Sequence, residues 1–263
     1  FRIKLIKLKP NAYTCIFNIH HSIIDGWSSP ILFQEVHCCY HALDHGQDYP
    51  IVIDESYYQA QAYLQKAKDD SKHFWADYIK DFDNACHLTA LLKADKKDTI
   101  ISQYKHIKEQ TTDSISILGE DWQTLKKFSQ KHGITMNAIM LFAWHKALSY
   151  FNNASSTIIG AIVSGRNIPI DGVEASVGLY INTLPMIVDH EQLKQLTILE
   201  ALKKVQENSN NINNHCQVHL ASLQKQGERL FDTLFMFGNY PDLSQPDSQQ
   251  SLTFQFEKSI EKR

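Results

Sequence analysis

The sequence lacks the roughly 18 consecutive apolar residues that a bilayer-spanning helix needs, so neither a transmembrane segment nor a membrane partner is expected. It also lacks a basic excess. Lys and Arg number 26 against 29 Asp and Glu, a formal charge of −3. Proteins that track nucleic-acid phosphates gather positive charge on one face, which makes nucleic acid an unexpected partner. The five cysteines are odd in number, with Cys38 and Cys39 adjacent and the others scattered. That is not the spaced framework of a small disulfide scaffold, and it predicts a reducing, cytoplasmic setting. Neither a Gly-x-Ser-x-Gly elbow nor a phosphate-binding P-loop occurs, which removes the commonest serine-hydrolase and nucleotide-hydrolysis readings. Internal repeats and low-complexity tracts are absent, and the Asn153-Ala154-Ser155 triplet is too common a chance pattern to imply glycosylation.

What is present is the composition of a folded protein: 43% hydrophobic and 21% charged residues over 263 positions. That length predicts two lobes of roughly 100 to 150 residues each. Phe1 to Leu8 and Tyr13 to His20 read as a hairpin, with polar residues interleaved among apolar ones and a turn at Lys9-Pro10-Asn11. Ser28 is the expected N-cap of a helix running to Gly46, with Pro30 in its first turn and an apolar side at Leu32, Val36 and Leu43. Further helices are predicted over Tyr57 to Ala67, Asp70 to Lys80, from Trp122 to a stop at Gly133, and after a Thr135 cap. In the last of these, Ile139, Phe142, Ala143 and Ala147 form the expected apolar side. Another helix is predicted from Ile198 to Ile212. Strands are predicted at Ile107 to Leu118, Thr157 to Val163, Tyr180 to Val188, Phe231 to Phe237 and Leu252 to Phe256. The lysine-rich passage Lys93 to Asp98 is the expected connection between lobes. The mixture points to α/β or α+β layers.

Chemistry concentrates in His20-His21-Ser22-Ile23-Ile24-Asp25-Gly26-Trp27-Ser28. Two histidines close a strand, a carboxylate follows four residues after the second, and a glycine leaves backbone N–H groups accessible. An ordinary imidazole, with a pKa of about 6.5, is largely neutral in the cytoplasm and can take a proton from an attacking amine or hydroxyl. From these residues alone, catalysis stands beside a structural or metal-binding role. His37, His41 and His45 recur every four residues near Cys38 and Cys39, a spacing that raises the question of zinc. They flank the expected apolar side, so they are expected to form a solvated face with no metal.

The nine-residue stretch resembles the HHxxxDG signature of the chloramphenicol acetyltransferase-like superfamily, and Trp27-Ser28 extends it as in condensation domains of nonribosomal peptide synthetases. Phe74-Trp75-Ala76-Asp77-Tyr78-Ile79 is similar to that family's FWxxYL element. Ser164-Gly165-Arg166 and Val177 to Pro185 resemble its SGR and VGxFxNTLP region, and Phe231 to Pro241 resembles FDTLFVFENYP, with Gly238 where glutamate is frequent. His215 to Gln224 is a loose counterpart of a motif near the tunnel.

The resemblance implies a two-lobed chloramphenicol acetyltransferase-like fold, truncated at both ends. Residues 1–95 would form the remainder of the N-terminal lobe and residues 96–263 an incomplete C-terminal lobe. It implies an acyltransferase in which a donor thioester and an acceptor amine meet at His21 in a tunnel between the lobes. Each would arrive on a phosphopantetheine arm of an upstream or downstream peptidyl carrier protein, with an adenylation domain adjacent. The chain itself would bind no cofactor. Gly26 is the expected source of an oxyanion-stabilising N–H. Asp25 would pair with Arg166 to hold the loop rather than polarise His21. His20 would be buried and hydrogen-bonded, and Trp27, Ser28, Tyr180 and Asn182 would line the tunnel, with Trp27 and Tyr180 as ordinary core aromatics the alternative. The alternatives are an epimerisation domain, a freestanding ester-forming acyltransferase, and a docking domain without catalysis.

Overall fold

The computed structural model describes residues 1–80, 88–91, 111–224, 229–238 and 252–254. Its helices and sheets divide into two compact units that interleave along the chain. One comprises Phe1–Leu64, Ser164–Ile181 and Gly238–Arg263, and the other Gln65–Val163 and Asn182–Phe237. The boundary expected at residues 95 and 96, and the Lys93 to Asp98 passage, lie outside the described residues.

In the first unit, β1 (Arg2–Lys9) and β2 (Ala12–Asn18) pair antiparallel from Arg2 opposite Asn18 to Lys7 opposite Tyr13, with an irregularity between Lys7 and Lys9. β2 ends two residues short of His20. α1 (Ser28–Asp44) and α2 (Ser56–Lys66) follow. Ala60 of α2 packs with Ile168, Val173 and Tyr180 from the irregular segment that returns much later in sequence, with Tyr57 and Tyr63 against them.

α1 corrects two expectations. Trp27, not Ser28, is its N-cap, and Ser28 is the first helical residue. Val36 is 46% exposed and Leu43 62%, whereas His37 is only 7% exposed. Periodicity shows that a helix has two sides; which side finds a neighbour depends on the rest of the molecule. His41 and His45 stack, with ring centroids 4.2 Å apart. Among the described residues no group of three or more His, Cys, Asp or Glu is placed to hold a metal ion.

The second unit contains α3 (Lys68–Tyr78), α4 (Gly119–His132), α5 (Met136–Asn152), β3 (Ser156–Val163), β4 (Asn182–Asp189), α6 (His190–Leu193), α7 (Ile198–Asn214), α8 (Leu220–Leu223) and β5 (Leu234–Phe235). The sheet order is β4-β3-β5, antiparallel between β3 and β4 and parallel between β3 and β5. β3 lies in the middle, and every side chain from Thr157 to Ala161 is buried, which explains why Ile-Ile-Gly-Ala-Ile-Val is apolar throughout rather than alternating. Leu141 and Leu148 of α5 and Ala201, Val205 and Ile212 of α7 share one core with Ile159, Leu184 and Met186 of the sheet.

Local signals set the helix ends. Gly133 closes α4 at φ 65°, where a side chain would be strained. Thr135 Oγ1 accepts the Ala138 N–H at 3.1 Å, and Thr197 with Glu200 forms a reciprocal capping box on α7. The fully buried side of α5 is Ala138, Leu141, His145 and Leu148; of the expected side, Ile139 and Phe142 are partly buried and packed against the core clusters, and Ala143 is exposed. A histidine that counts as polar in a sequence pattern here faces inward. The strand expected at Ile107 to Leu118 is not formed over its described part, 111–118, where every residue is exposed and no partner strand is present among the described residues. The strand expected at Phe231 to Phe237 contracts to two residues, and residues 252–254 form none.

His145 of α5 and His190 of α6 are buried and joined through one hydroxyl. His145 Nδ1 lies 2.7 Å from Thr157 Oγ1, which lies 2.9 Å from His190 Nε2. Burial, with His190 nearby, pushes the His145 pKa down to about 3. Burial and then Lys146 push His190 down to about 4, against the opposing influence of Asp189 and Glu191. In the unfolded chain both return to about 6.5, so between those limits the unfolded state binds more protons and stability falls as pH is lowered. Denaturant titrations at pH 7 and pH 5 are expected to show a loss on the order of 2 kcal/mol from His145 alone. A His145→Gln variant is expected to flatten that slope.

Candidate active site

The stretch from His20 to Ser28 leaves β2, turns, and enters α1. The Ile23 N–H reaches back to the His20 carbonyl at 3.2 Å, closing a tight turn that leaves His20, His21 and Ser22 exposed. Ile24 and Asp25 then point inward, and Gly26 and Trp27 return to the surface. The turn, followed by the buried Ile24 and Asp25, presents His21 to solvent, and its imidazole makes no hydrogen bond among the described residues. His20 is not buried, contrary to expectation. Its Nδ1 lies 2.7 Å from Ser22 Oγ and accepts the Ser22 N–H at 3.2 Å, so the ring is held by its own turn.

Asp25 is 1% exposed and every contact it makes is structural. Oδ1 accepts the Ser28 N–H at 2.9 Å, lies 2.7 Å from Ser28 Oγ, and faces Arg166 Nη2 at 3.4 Å. Oδ2 accepts the backbone N–H groups of Tyr180 at 3.0 Å and Ile181 at 3.3 Å. The Asp25 N–H itself donates to the Gly178 carbonyl at 3.2 Å. The carboxylate thus caps α1, where the helix dipole favours a negative charge, while tying it to the segment containing Tyr180. Burial alone would raise its pKa. The Ser28 hydroxyl, the backbone donors of Tyr180 and Ser28, and the Arg166 charge outweigh burial and hold it below the ordinary carboxylate value.

Arg166 is equally committed. Nη1 donates to the carbonyls of Val173 and, at 2.8 Å, Ser176; Nη2 donates to Ser28 Oγ at 3.0 Å; and the guanidinium lies 4.0 Å from the centre of the Tyr180 ring. A cation stacked on an aromatic face and bonded through its edge suits arginine and not lysine. Ser28 completes the cluster by accepting the Gly178 N–H at 3.0 Å.

Tyr180 is buried, its ring edge-on to Tyr57 at 5.1 Å, and belongs to the core of its unit. Trp27 is partly exposed, with its indole N–H donating to the Glu174 carbonyl at 3.2 Å. Asn182 belongs to the other unit. Its amide donates to the carbonyls of Cys216 at 2.9 Å and Val218 at 2.7 Å, fixing the chain inside the 215–224 stretch. Sequence reasoning missed Ser176 and gave no role to Gly178, although Gly178 lies in the Val177 to Pro185 motif; their backbone carbonyls complete the cluster. A backbone group carries no side-chain signature, so nothing in the sequence marks what it bonds.

Comparison with known proteins matches residues 1–262 to the Condensation domain. The chain is 38% identical over its full length to N-(5-amino-5-carboxypentanoyl)-L-cysteinyl-D-valine synthase of Penicillium rubens, and 36% identical over 99% of its length to the enzyme of that name from Amycolatopsis lactamdurans. Tyrocidine synthase 3 of Brevibacillus parabrevis is 32% identical over 94% of the chain. The chain spans 7% of the length of the first two and 4% of the third. The fold is similar to the first condensation domain of the calcium-dependent antibiotic synthetase, with TM-score 0.61 and 17% identity over 88% of this chain and 50% of that one. It is also similar to the starter condensation domain of rhizomide synthetase, with TM-score 0.60 and 16% identity over 88% and 50%.

Two substitutions test the cluster. Asp25→Ala and Arg166→Ala each leave a buried charge without its partner and are expected to cost about 3–5 kcal/mol in denaturant titrations, with the double variant costing less than their sum. Gly165 has φ +65°, and a Cβ there would run into the Tyr180 carbonyl oxygen. Gly165→Ala is expected to lower the melting temperature severely, because strain and a backbone clash act together.

Proposed function

This chain belongs to the condensation-domain family, and on that footing we propose that it joins a donor acyl or peptidyl thioester to the amine of an acceptor aminoacyl thioester through an amide bond. Both substrates arrive on phosphopantetheine arms of carrier proteins, upstream and downstream, in a cytoplasmic nonribosomal peptide synthetase that also contains an adenylation domain. The relatives, synthases of which the chain spans only 7% and 4%, support this setting.

One observation carries the reading. His21 is held out to solvent at a hydrogen-bonded turn while its neighbouring carboxylate, Asp25, is fully occupied by Ser28, Tyr180, Ile181 and Arg166. The imidazole is positioned yet uncommitted, as a group that meets a substrate must be. Asp25 serves as the anchor of that position rather than as its electrostatic partner.

The acceptor's α-amine attacks the donor thioester carbonyl, forming the C–N bond. The tetrahedral intermediate then expels the donor carrier's thiol, breaking C–S, as the amine's proton passes by way of His21 to the departing sulfur. Free amines already attack thioesters, so alignment supplies a large share of the acceleration. His21 orients the nucleophile and accepts its proton. Gly26, exposed farther along the same loop, offers a backbone N–H to the developing oxyanion.

The test supplies the protein with two loaded carriers and follows transfer by mass spectrometry. The expected outcome is a lengthened chain on the acceptor carrier, with the rate in His21→Ala lower by about 10²-fold or more. Undiminished product from that variant would remove His21 from the chemistry. Inversion at the donor α-carbon without chain growth would select an epimerase instead.

A further inference from the structure

The Asp25 cluster leans on residues 171–178, which supply the carbonyls of Val173 and Ser176 to Arg166, of Glu174 to Trp27, and of Gly178 to Asp25, together with the Gly178 N–H to Ser28. Apart from one short 3₁₀ turn at Val173–Ala175, this segment has no helix or strand of its own. A wall made of irregular chain has to be held from outside, because loop backbone without ladder bonds is otherwise free to shift.

It is held at the entry to α2. Asp54 Oδ1 accepts the Ser56 N–H at 2.8 Å, and Asp54 Oδ2 accepts the Ser176 hydroxyl. The Val177 backbone N–H also donates to this carboxylate. Ser56 Oγ donates to the Asp171 carbonyl at 3.0 Å, so residues two apart on α2's leading edge grip both ends of the segment. The approach is close enough to require glycine at each end. A Cβ on Gly172 would meet Ser56 Oγ at 2.9 Å, and one on Gly178 would enter the Tyr57 ring. Burial acts to raise the Asp54 pKa, but the bonds from Ser176, Ser56 and Val177 outweigh it and hold it below the ordinary value, so the carboxylate is charged throughout the neutral range.

Resting on the function proposed above, we infer that Asp54 is a positioning residue for the transfer reaction, acting through Ser176 and residues 171–178 to set the Asp25–Arg166 cluster and hence the place of His21. Asp54 is itself exposed and remote in sequence from the histidine loop, so its removal leaves no buried charge without a partner. A carboxylate that fixes a catalytic loop indirectly affects the rate of the chemical step more than the capture of substrates.

The experiment measures amide formation between a donor-loaded and an acceptor-loaded carrier for the wild type, Asp54→Ala, Ser176→Ala, the double variant and His21→Ala, with melting temperatures for each. In Asp54→Ala, kcat is expected to fall about 10- to 100-fold while KM for either carrier stays within about twofold. Ser176→Ala is expected to do the same, the double variant to be no worse than either single one, and Asp54→Asn, which keeps one acceptor oxygen, to recover part of the rate. Unchanged kcat in Asp54→Ala would overturn the inference, as would a loss seen only in KM, or losses in the two single variants that multiply in the double. If His21→Ala retains full activity, the function proposed above fails. If His21→Ala is impaired and Asp54→Ala is not, only the role of Asp54 fails.

Discussion

The buried carboxylate of Asp25 organises everything around it. A charge 1% exposed is tolerated only when its lone pairs are satisfied, and here satisfaction comes from three places at once: the first turn of α1, the backbone at Tyr180 and Ile181, and the Arg166 guanidinium. Segments about 140 to 155 residues apart in sequence are thereby locked to one group. The turn bearing His21 inherits its position from that lock, since it hangs between β2 and an α1 whose N-terminus Asp25 caps.

The consequence for chemistry is a division of labour. A histidine with a carboxylate four residues away invites reading as a general base backed by an acid, and the geometry assigns the carboxylate elsewhere. Arginine is bound through two carbonyls, one hydroxyl and an aromatic face, with its buried Nε left without a partner. Opposite charges serve shape, and the His21 imidazole is left exposed. The same pattern recurs at Asn182, whose amide is taken up by the carbonyls of Cys216 and Val218.

Elements with their own local signals are legible in the sequence. The hairpin turn at Pro10-Asn11, the Gly133 stop, the Thr135 cap and the Thr197-Glu200 box depend on residues within a few positions of one another, and the folded chain has them all. Expectations fail where the deciding partner is distant. The alternation in Ser114-Ile115-Ser116-Ile117 finds no neighbouring strand among the described residues, and the inward faces of α1 and α5 carry His37 and His145, which a hydropathy pattern counts as outward.

By itself the sequence determined the HHxxxDG loop, the Ser-Gly-Arg element and the order of most helices and strands, because turn chemistry, capping and periodicity are short-range properties. Only tertiary structure decided that His20 is exposed rather than buried, that Tyr180 belongs to a core, and that residues 171–178 and Asp54 brace the histidine loop. The bracing rests on contacts between groups more than a hundred residues apart, most of them made by backbone carbonyls and N–H groups, and a backbone group is the same at every position in the sequence.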